Sequence, residues 1–514
     1  MVDSSEAVIN ILKGAGIIFA GRMLSRGLGL IGEILVARTL LPDQFGVVAL
    51  AYTVVSTVGL FTTFGTKKGV PRLISGDEPV SRQQQIILSA FVIVLPISLI
   101  TLCVLVLFPS VLNNLFGNVD IAPILPIFGL YLLTFPGAQI LTGGLRGLEQ
   151  ASLTVLAQNG GRLFGLALFA VAVLVGVNTI GAVGYYVVTQ LGIACLAAYF
   201  LYKRLFDGST QFNLPQYKHV RQTFSFSWPL AISSSFLILM GNLDILMIGY
   251  FLESAQVGYY RAIQPLAMVV IIFLSSFVFL FMPIATKYYK RGSDDIVGEL
   301  FSSTTKLVTI ISFPVTLVFV LFANDVVVAF YGDAYTPAAL TFTILVIGTY
   351  LRVFVGPNAA MIEAIGRTRV DLLSSVGGML TNVVLNAVLI PRYGIPGAAV
   401  ATSCGYLVYN LLELGVVYHS VGIHPFSINM FKPLIPTAIF AGVLSRVTAG
   451  FRLSIVALLG IGIVIALVQL LAVFATRSLD QTDVFLLGRI EERLGIEIPF
   501  LEWAMGHNSK EKDL

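Results

Sequence analysis

The sequence predicts an all-α polytopic membrane protein with about fourteen transmembrane helices, arranged as two pseudo-symmetric six-helix lobes followed by two further helices. Three observations carry this expectation. Apolar residues make up 57% of the 514 and charged residues only 11%, with a mean hydropathy of +0.90, so no soluble domain of useful size remains. Apolar runs of about 20 residues, the length that crosses a bilayer, recur along the chain. Short motifs also repeat some six helices apart.

The N-terminal MVDSSEAVIN is polar and acidic and lacks the basic n-region and small-residue cleavage site of a signal peptide, so the first apolar run, Ile17 to Ala37, is expected to stay as a helix. Phe45 to Phe64 is a run without charge, and Ile86 to Phe108, Ile121 to Leu141, Val155 to Val175 and Ala182 to Tyr202 complete the first six. The next six are Pro229 to Phe251, Val257 to Ile284, Leu307 to Ala329, Ala338 to Pro357, Leu373 to Ile390 and Ala398 to Val417; Leu434 to Val447 and Leu453 to Ala475 are left over. Prolines within the runs, at Pro96, Pro126, Pro136, Pro229, Pro265, Pro283 and Pro314, permit kinks that are either static or hinges. Cys103, Cys195 and Cys404 fall in apolar segments far apart, which predicts buried thiols acting as small hydrophobes, with no disulfide and no zinc.

Basic residues supply an independent test, because Lys and Arg accumulate in cytoplasmic loops. With the N-terminus inside, the cytoplasmic segments collect seventeen basic residues, Lys67, Lys68, Arg146, Lys218 and Lys306 among them. The outside loops hold four, Arg38, Arg392, Arg446 and Arg452. Val111 to Asp120 and Asn324 to Pro337 have none. The five basic residues of the tail also fall inside, so both termini are predicted to be cytoplasmic and the net charge of +4 reports topology, not nucleic-acid binding.

The internal repeat sets the domain organisation. The segment from Glu33 to Gly46 resembles that from Asp244 to Gly258, and Ile180-Gly-Ala-Val183 echoes Pro396-Gly-Ala-Ala399, at offsets of 211 and 216 residues. Copies six helices apart enter the membrane from the same side, which implies two parallel lobes of the kind that support alternating access. The expected divisions are an N-lobe of helices 1–6 over 1–204, a cytoplasmic linker over 205–222, a C-lobe of helices 7–12 over 223–418, helices 13–14 over 419–476, and a cytoplasmic amphipathic tail over 477–514. In that tail Ser478 and Gln481 have capping-box spacing, Leu486, Leu487, Ile490 and Leu494 share a face, and Gly495 is placed to end the helix.

Five arginines, Arg22, Arg26, Arg162, Arg261 and Arg352, lie inside the apolar runs. Left in lipid they would cost roughly 12 to 17 kcal/mol together, at ~2.5 to 3.5 kcal/mol each. They must therefore meet counter-ions, snorkel, or line a polar cavity suited to an anion. Arg22, Arg26 and Glu33 are separated by 4 and 7 residues and make one stripe on helix 1. A guanidinium stays charged and offers a planar fork that matches phosphate oxygens. Arg22, Arg26, Arg261 and Arg352 are accordingly the candidate phosphate ligands, an inter-helix salt-bridge network with Glu33 or Asp244 being the alternative. Gln158, Asn159, Arg162, Asn382 and Asn386 are candidates for contacting sugar hydroxyls or lining the cavity, or else are interhelical packing contacts. Glu33 and Asp244 are candidates for ion coupling or for pairing with an arginine, and Glu413 for an interface.

Arg38-Thr-Leu-Leu-Pro-Asp-Gln-Phe-Gly46, Phe226-Ser-Trp-Pro229 with Asp244 and Val257-Gly-Tyr-Tyr-Arg261, and Ala364-Ile-Gly-Arg367 with Asn386 and Ile390-Pro-Arg-Tyr-Gly-Ile-Pro-Gly-Ala-Ala399 together resemble the polysaccharide-biosynthesis, Wzx-type oligosaccharide flippases. These belong to the multidrug/oligosaccharidyl-lipid/polysaccharide exporter superfamily, and the resemblance runs from about Ile9 to about Ala475. It implies a MATE-like fold in the cell membrane. It further implies a transporter that moves a polyprenyl-phosphate- or polyprenyl-diphosphate-linked oligosaccharide from the cytoplasmic to the outer leaflet, with glycosyltransferases or a polymerase of the same pathway as partners. A multidrug exporter of the same fold should favour intramembrane acids, whereas this chain has arginines. A lipid II-type flippase typically carries a second-helix arginine that Phe45 to Phe64 lacks.

No catalytic constellation stands out. The four histidines, His219, His419, His424 and His507, lie in predicted loops or tail without metal-ligand spacing, so no enzyme activity, cofactor or metal is expected. No Gly-Lys-Ser/Thr phosphate loop occurs, which predicts that the energy comes from an ion gradient, the membrane potential or consumption of the flipped glycan.

Overall fold

The computed structural model describes residues 21, 23–76, 78–205, 214–480, 482–484, 486 and 488. Among these the regular structure is helical, without a strand. In chain order the helices are α1 (23–39), α2 (Pro42–Thr62), α3 (Thr66–Ile74), α4 (Val80–Leu107), α5 (Pro109–Leu115), α6 (Leu125–Gly129), α7 (Tyr131–Gly147), α8 (Ala151–Val175), α9 (Asn178–Leu205) and α10 (Tyr217–Phe251). Then come α11 (Ser254–Ala267), α12 (Val270–Tyr289), α13 (Asp294–Leu321), α14 (Ala323–Tyr331), α15 (Ala339–Phe354), α16 (Asn358–Ala364), α17 (Thr368–Val421), α18 (Ile428–Phe431), α19 (Leu434–Val447) and α20 (Ile455–Ala475). The chain forms two compact units, Met1–Ala262 and Ile263–Leu514.

Ten spans among the described residues are long and apolar enough to cross a membrane, or eleven when the bent pair Ser254–Ala267 and Val270–Val278 is taken as one. The predicted count of fourteen is not confirmed among the described residues. Predicted helix 1 begins among residues outside the described set. Predicted helices 11 and 12 lie in the single 54-residue α17, which breaks at Gly394 (φ 64°, ψ −144°). That backbone conformation favours glycine, because a Cβ would clash with its own chain. The break folds α17 into an antiparallel hairpin: Tyr409 Oη donates to Asp371 Oδ1 at 3.0 Å, and Asn382 Nδ2 to Thr402 Oγ1 at 3.3 Å.

A polytopic membrane protein should expose apolar side chains to lipid, and this one does. In α4, whose mean hydropathy reaches 3.0, only 22% of the most apolar window is buried within the protein. Cys103 and Cys195 are exposed on such surfaces and Cys404 is partly exposed, which corrects the expectation of buried thiols: a bilayer lets an apolar thiol face outward without cost.

The two segments that resemble each other in sequence also touch. In the first unit, Gly46 of α2 and Gly258 of α11, the last residues of the two related segments, face each other backbone to backbone. A Cβ on Gly46 would overlap the Ser254 carbonyl oxygen, and one on Gly258 would overlap the Pro42 carbonyl oxygen. The contact is reciprocal, since Pro42 and Ser254 each stand four residues before the glycine. Ser254 Oγ also donates to Asp43 Oδ1.

In the second unit Lys306 does not sit in a loop, as its charge predicted. It lies within α13, 1% exposed, with Nζ paired to Asp480 and, at 2.5 Å, to Asp483 Oδ2. Two carboxylates make burial of the ammonium tolerable. The tail's capping-type bond runs from Asp480 N to Asp483 Oδ2 at 2.6 Å, two residues beyond the expected start. Gln481, Leu487, Ile490, Leu494 and Gly495 lie outside the described residues.

Candidate anion-binding site

One face of α1 builds the polar interior of the first unit. Ser25 Oγ donates to Asn159 Oδ1 of α8 at 2.5 Å, and Arg162 Nη1 donates to the Ser25 carbonyl oxygen. One turn on, Gly29 presents no side chain, and the Arg162 guanidinium lies alongside it: a Cβ there would be 3.8 Å from Arg162 Cζ. Gly32 is packed against the Tyr185 hydroxyl. α1 thus contacts α8 and α9 through small residues outside the predicted stripe, which let a guanidinium and a tyrosine approach its backbone.

Between α1 and the first two turns of α8 lies a cavity of about 310 Å³, lined by Ser25, Arg26, Arg146, Ala151, Thr154, Val155, Gln158 and Arg162. Arginines from three helices, α1, α7 and α8, converge on it, and none of the described lining residues is acidic. Ser25, Thr154 and Gln158 add neutral hydrogen-bonding groups. The N-terminus of the 25-residue α8 also opens onto it, adding the positive end of a helix dipole.

Arg146 went unnoticed as a site residue because the apolar run predicted a helix ending at Leu141. The helix continues to Gly147, which places Arg146 in its last turn. There Arg146 Nε donates to Thr142 O and Nη2 to Lys67 O, both at 3.3 Å, fixing the guanidinium beside the cavity. Its signal in the sequence was a basic residue two positions after Gly143-Gly144, the small residues that let α7 pack closely.

The other predicted residues divide into two further groups. Arg261 Nη2 donates to Glu33 Oε1 at 2.6 Å, and its guanidinium carbon lies 5.9 Å from the centroid of Tyr52. Tyr52 in turn stacks on Tyr186 at 4.2 Å and meets Tyr131 edge-on at 5.6 Å. Arg261 and Glu33 therefore form the inter-helix ion pair that the sequence left open, within a tyrosine cluster it did not reveal. Asp244, 6% exposed, accepts a bond from Tyr260 Oη at 3.0 Å. In the second unit, Asn386 Nδ2 donates to Asn382 Oδ1 at 3.1 Å, one turn apart on the first arm of α17, and Arg352 lies over Tyr406 and Tyr409, at 5.1 and 5.9 Å. Arg22 lies outside the described residues. Among the described residues no group of His, Cys, Asp and Glu is placed to hold a metal ion.

Comparison with known proteins identifies the family and the fold. The family of polysaccharide biosynthesis proteins matches residues 11–289, and the MatE family matches residues 229–388. The chain is 24% identical over 407 residues to the probable low-salt glycan biosynthesis flippase Agl15 of Haloferax volcanii, covering 77% of this chain and 81% of that protein. Among solved structures, the lipid II flippase MurJ in its inward closed conformation superposes with a TM-score of 0.71 at 14% identity, over 90% of this chain and 98% of MurJ. An inward-facing multidrug resistance MATE transporter superposes with a TM-score of 0.64 at 13% identity, over 79% and 98%. The MATE-like all-helical fold expected from the sequence is the observed one.

Proposed function

The chain belongs to the polysaccharide biosynthesis protein family, and from that premise we propose that it is a flippase for a polyprenyl-phosphate- or polyprenyl-diphosphate-linked oligosaccharide, working by alternating access. The observation that carries this reading is the convergence of Arg26, Arg146 and Arg162 on one cavity that no described acid lines. Three guanidiniums gathered on one cavity repel one another, and a bound phosphate or diphosphate relieves that repulsion with charge-assisted bonds. The Ser25 carbonyl orients Arg162, and the Lys67 and Thr142 carbonyls orient Arg146, so the donors are held in place before the anion arrives. Thr154 and Gln158 suit the linker or the first sugar, and the polyprenyl tail stays in lipid. The charge distribution of the loops puts the Arg146 end at the cytoplasm, the side on which such a substrate is made.

This reading keeps Arg26 as a phosphate ligand and adds Arg146 and Arg162. It assigns Arg261 to setting Glu33 and Arg352 to the tyrosine stack in the second unit. The reading places the protein in the cell membrane, downstream of the glycosyltransferases that build the substrate.

The test is reconstitution in liposomes with a fluorescent polyprenyl-diphosphate glycan, scoring its movement between leaflets. Each charge-assisted bond contributes about 1.5 to 3 kcal/mol, so Arg26→Ala or Arg162→Ala is expected to slow transport about tenfold or more. Transport unchanged in both variants would sink the clamp. Inert wild-type protein that instead confers drug resistance in cells would make it an exporter.

A further inference from the structure

The second unit holds an acidic group that the anion site does not use. Glu413, in the second arm of α17, is 0% exposed, and neither of its carboxylate oxygens has a hydrogen-bond partner of acceptable geometry. One helical turn earlier on the same face is Tyr409, whose hydroxyl donates to Asp371 Oδ1 on the first arm at 3.0 Å. Arg352 of α15 covers the rings of Tyr406 and Tyr409. The charged and titratable groups that face Glu413 are thus Asp371 and Tyr409 from α17 and Arg352 from α15; the acid of α16, Glu363, is exposed.

We propose that the Glu413 carboxyl is a proton-binding site, filled and emptied through Tyr409 and Asp371, and that its occupancy is coupled to transport. The charge balance argues for it. One guanidinium faces two carboxyls, and Asp371, in the first turn of a helix and partly exposed, is the one suited to stay ionised. An ionised Glu413 would be a buried charge without a hydrogen bond, which a protein avoids by neutralising the group. A proton on Glu413 leaves Arg352 and Asp371 as a balanced pair. The route conserves atoms and charge: Asp371 takes a proton from water, the Tyr409 hydroxyl turns from Asp371 toward Glu413, and Tyr409 gives its own proton to a Glu413 oxygen as Oη receives the one from Asp371. Reversal empties the site. Tyr409 joins the two arms of the hairpin, so a change in their packing would open or close the relay.

The coupling half of this proposal rests on the flippase reading, and the proton-binding half does not. Infrared difference spectra of the full-length protein in lipid vesicles at neutral pH should show a protonated-carboxyl C=O band that the near-isosteric Glu413→Gln removes. Tyr409→Phe, which keeps the carboxyl, should retain the band and slow its exchange in deuterium oxide. No such band, or one that Glu413→Gln leaves in place, overturns the proposal. A Glu413 band displaced by sodium at constant pH also overturns it, in favour of a metal cation. In liposomes with an imposed pH gradient, wild-type transport should accelerate and Glu413→Gln should not respond; equal acceleration in both overturns the coupling. A Glu413 band in protein that flips no glycan would instead overturn the flippase reading and leave the proton site standing.

Discussion

At the scale of single residues, the chain handles its intramembrane charges in three different ways. Arg261 is met by Glu33, Arg352 by aromatic rings beside acids, and Arg26 and Arg162 by a cavity. Helical periodicity could place Arg26 and Glu33 on one stripe, but it could not say that the ion pair and the cavity use different parts of it. That choice depends on which side chains α8 and α11 bring, a long-range fact. Lys306 shows the same limit, since a lysine read as a loop charge proved to be a buried anchor for Asp480 and Asp483. Asp483, beyond the last span, carries a prediction of its own. Burial holds its carboxyl above the usual range, and the nearby Lys306 only partly draws it back. A carboxyl raised on folding binds its proton more tightly in the native state. Its contribution to stability is therefore complete below the ordinary carboxylate range and is lost as pH rises through the raised native value. Thermal unfolding in detergent should shift upward as pH is lowered from neutral toward that range. Asp483→Asn should flatten this part of the profile; an identical profile in the variant would count against the assignment.

At the scale of elements, the repeat was the most legible feature, because its motifs are local and short. Its two segments end in Gly46 and Gly258, and these are the residues at which α2 and α11 touch backbone to backbone. The sequence could not announce that contact, since a glycine reads alike in a loop, a hinge or a packing seam. The break at Gly394 was legible: the two apolar runs, Leu373 to Ile390 and Ala398 to Val417, lie on either side of it. Overpacking a tight contact usually costs about 1 to 3 kcal/mol. The Gly46 contact is with a backbone carbonyl that no rotamer change can move aside, so Gly46→Ala and Gly258→Ala are each expected to reach the upper end of that range. The double variant should be destabilised by less than the sum, because one displacement of α11 from α2 relieves both clashes. Unfolding temperatures of the four proteins in one detergent measure this, and strict additivity would show that the two glycines are not one contact.

At the scale of the whole molecule, the distribution of basic residues makes a claim that the packing of helices does not: it states which ends of the spans face the cytoplasm. Moving Lys306 from a loop into α13 removes one residue from the cytoplasmic sum and leaves the asymmetry intact, because Lys67, Lys68, Lys218, Lys287, Lys290 and Lys432 keep their places at helix ends or between helices. The opposite ends, such as the segment between α5 and α6 and that between α14 and α15, carry Asp120 and Asp333 but no basic residue. A positive end left outside would oppose the membrane potential at about 2.3 kcal/mol per charge for each ~100 mV, so the charge distribution predicts an orientation that labelling can check. On a background with all three cysteines replaced, single cysteines at Asn118 and Ala334 should react with a membrane-impermeant maleimide added to intact cells. Cysteines at Lys68, Lys218 and Lys432 should react after lysis alone. Reversal of this pattern would turn the Arg146 end of the anion cavity outward, and the direction of glycan movement proposed above would have to be reversed with it.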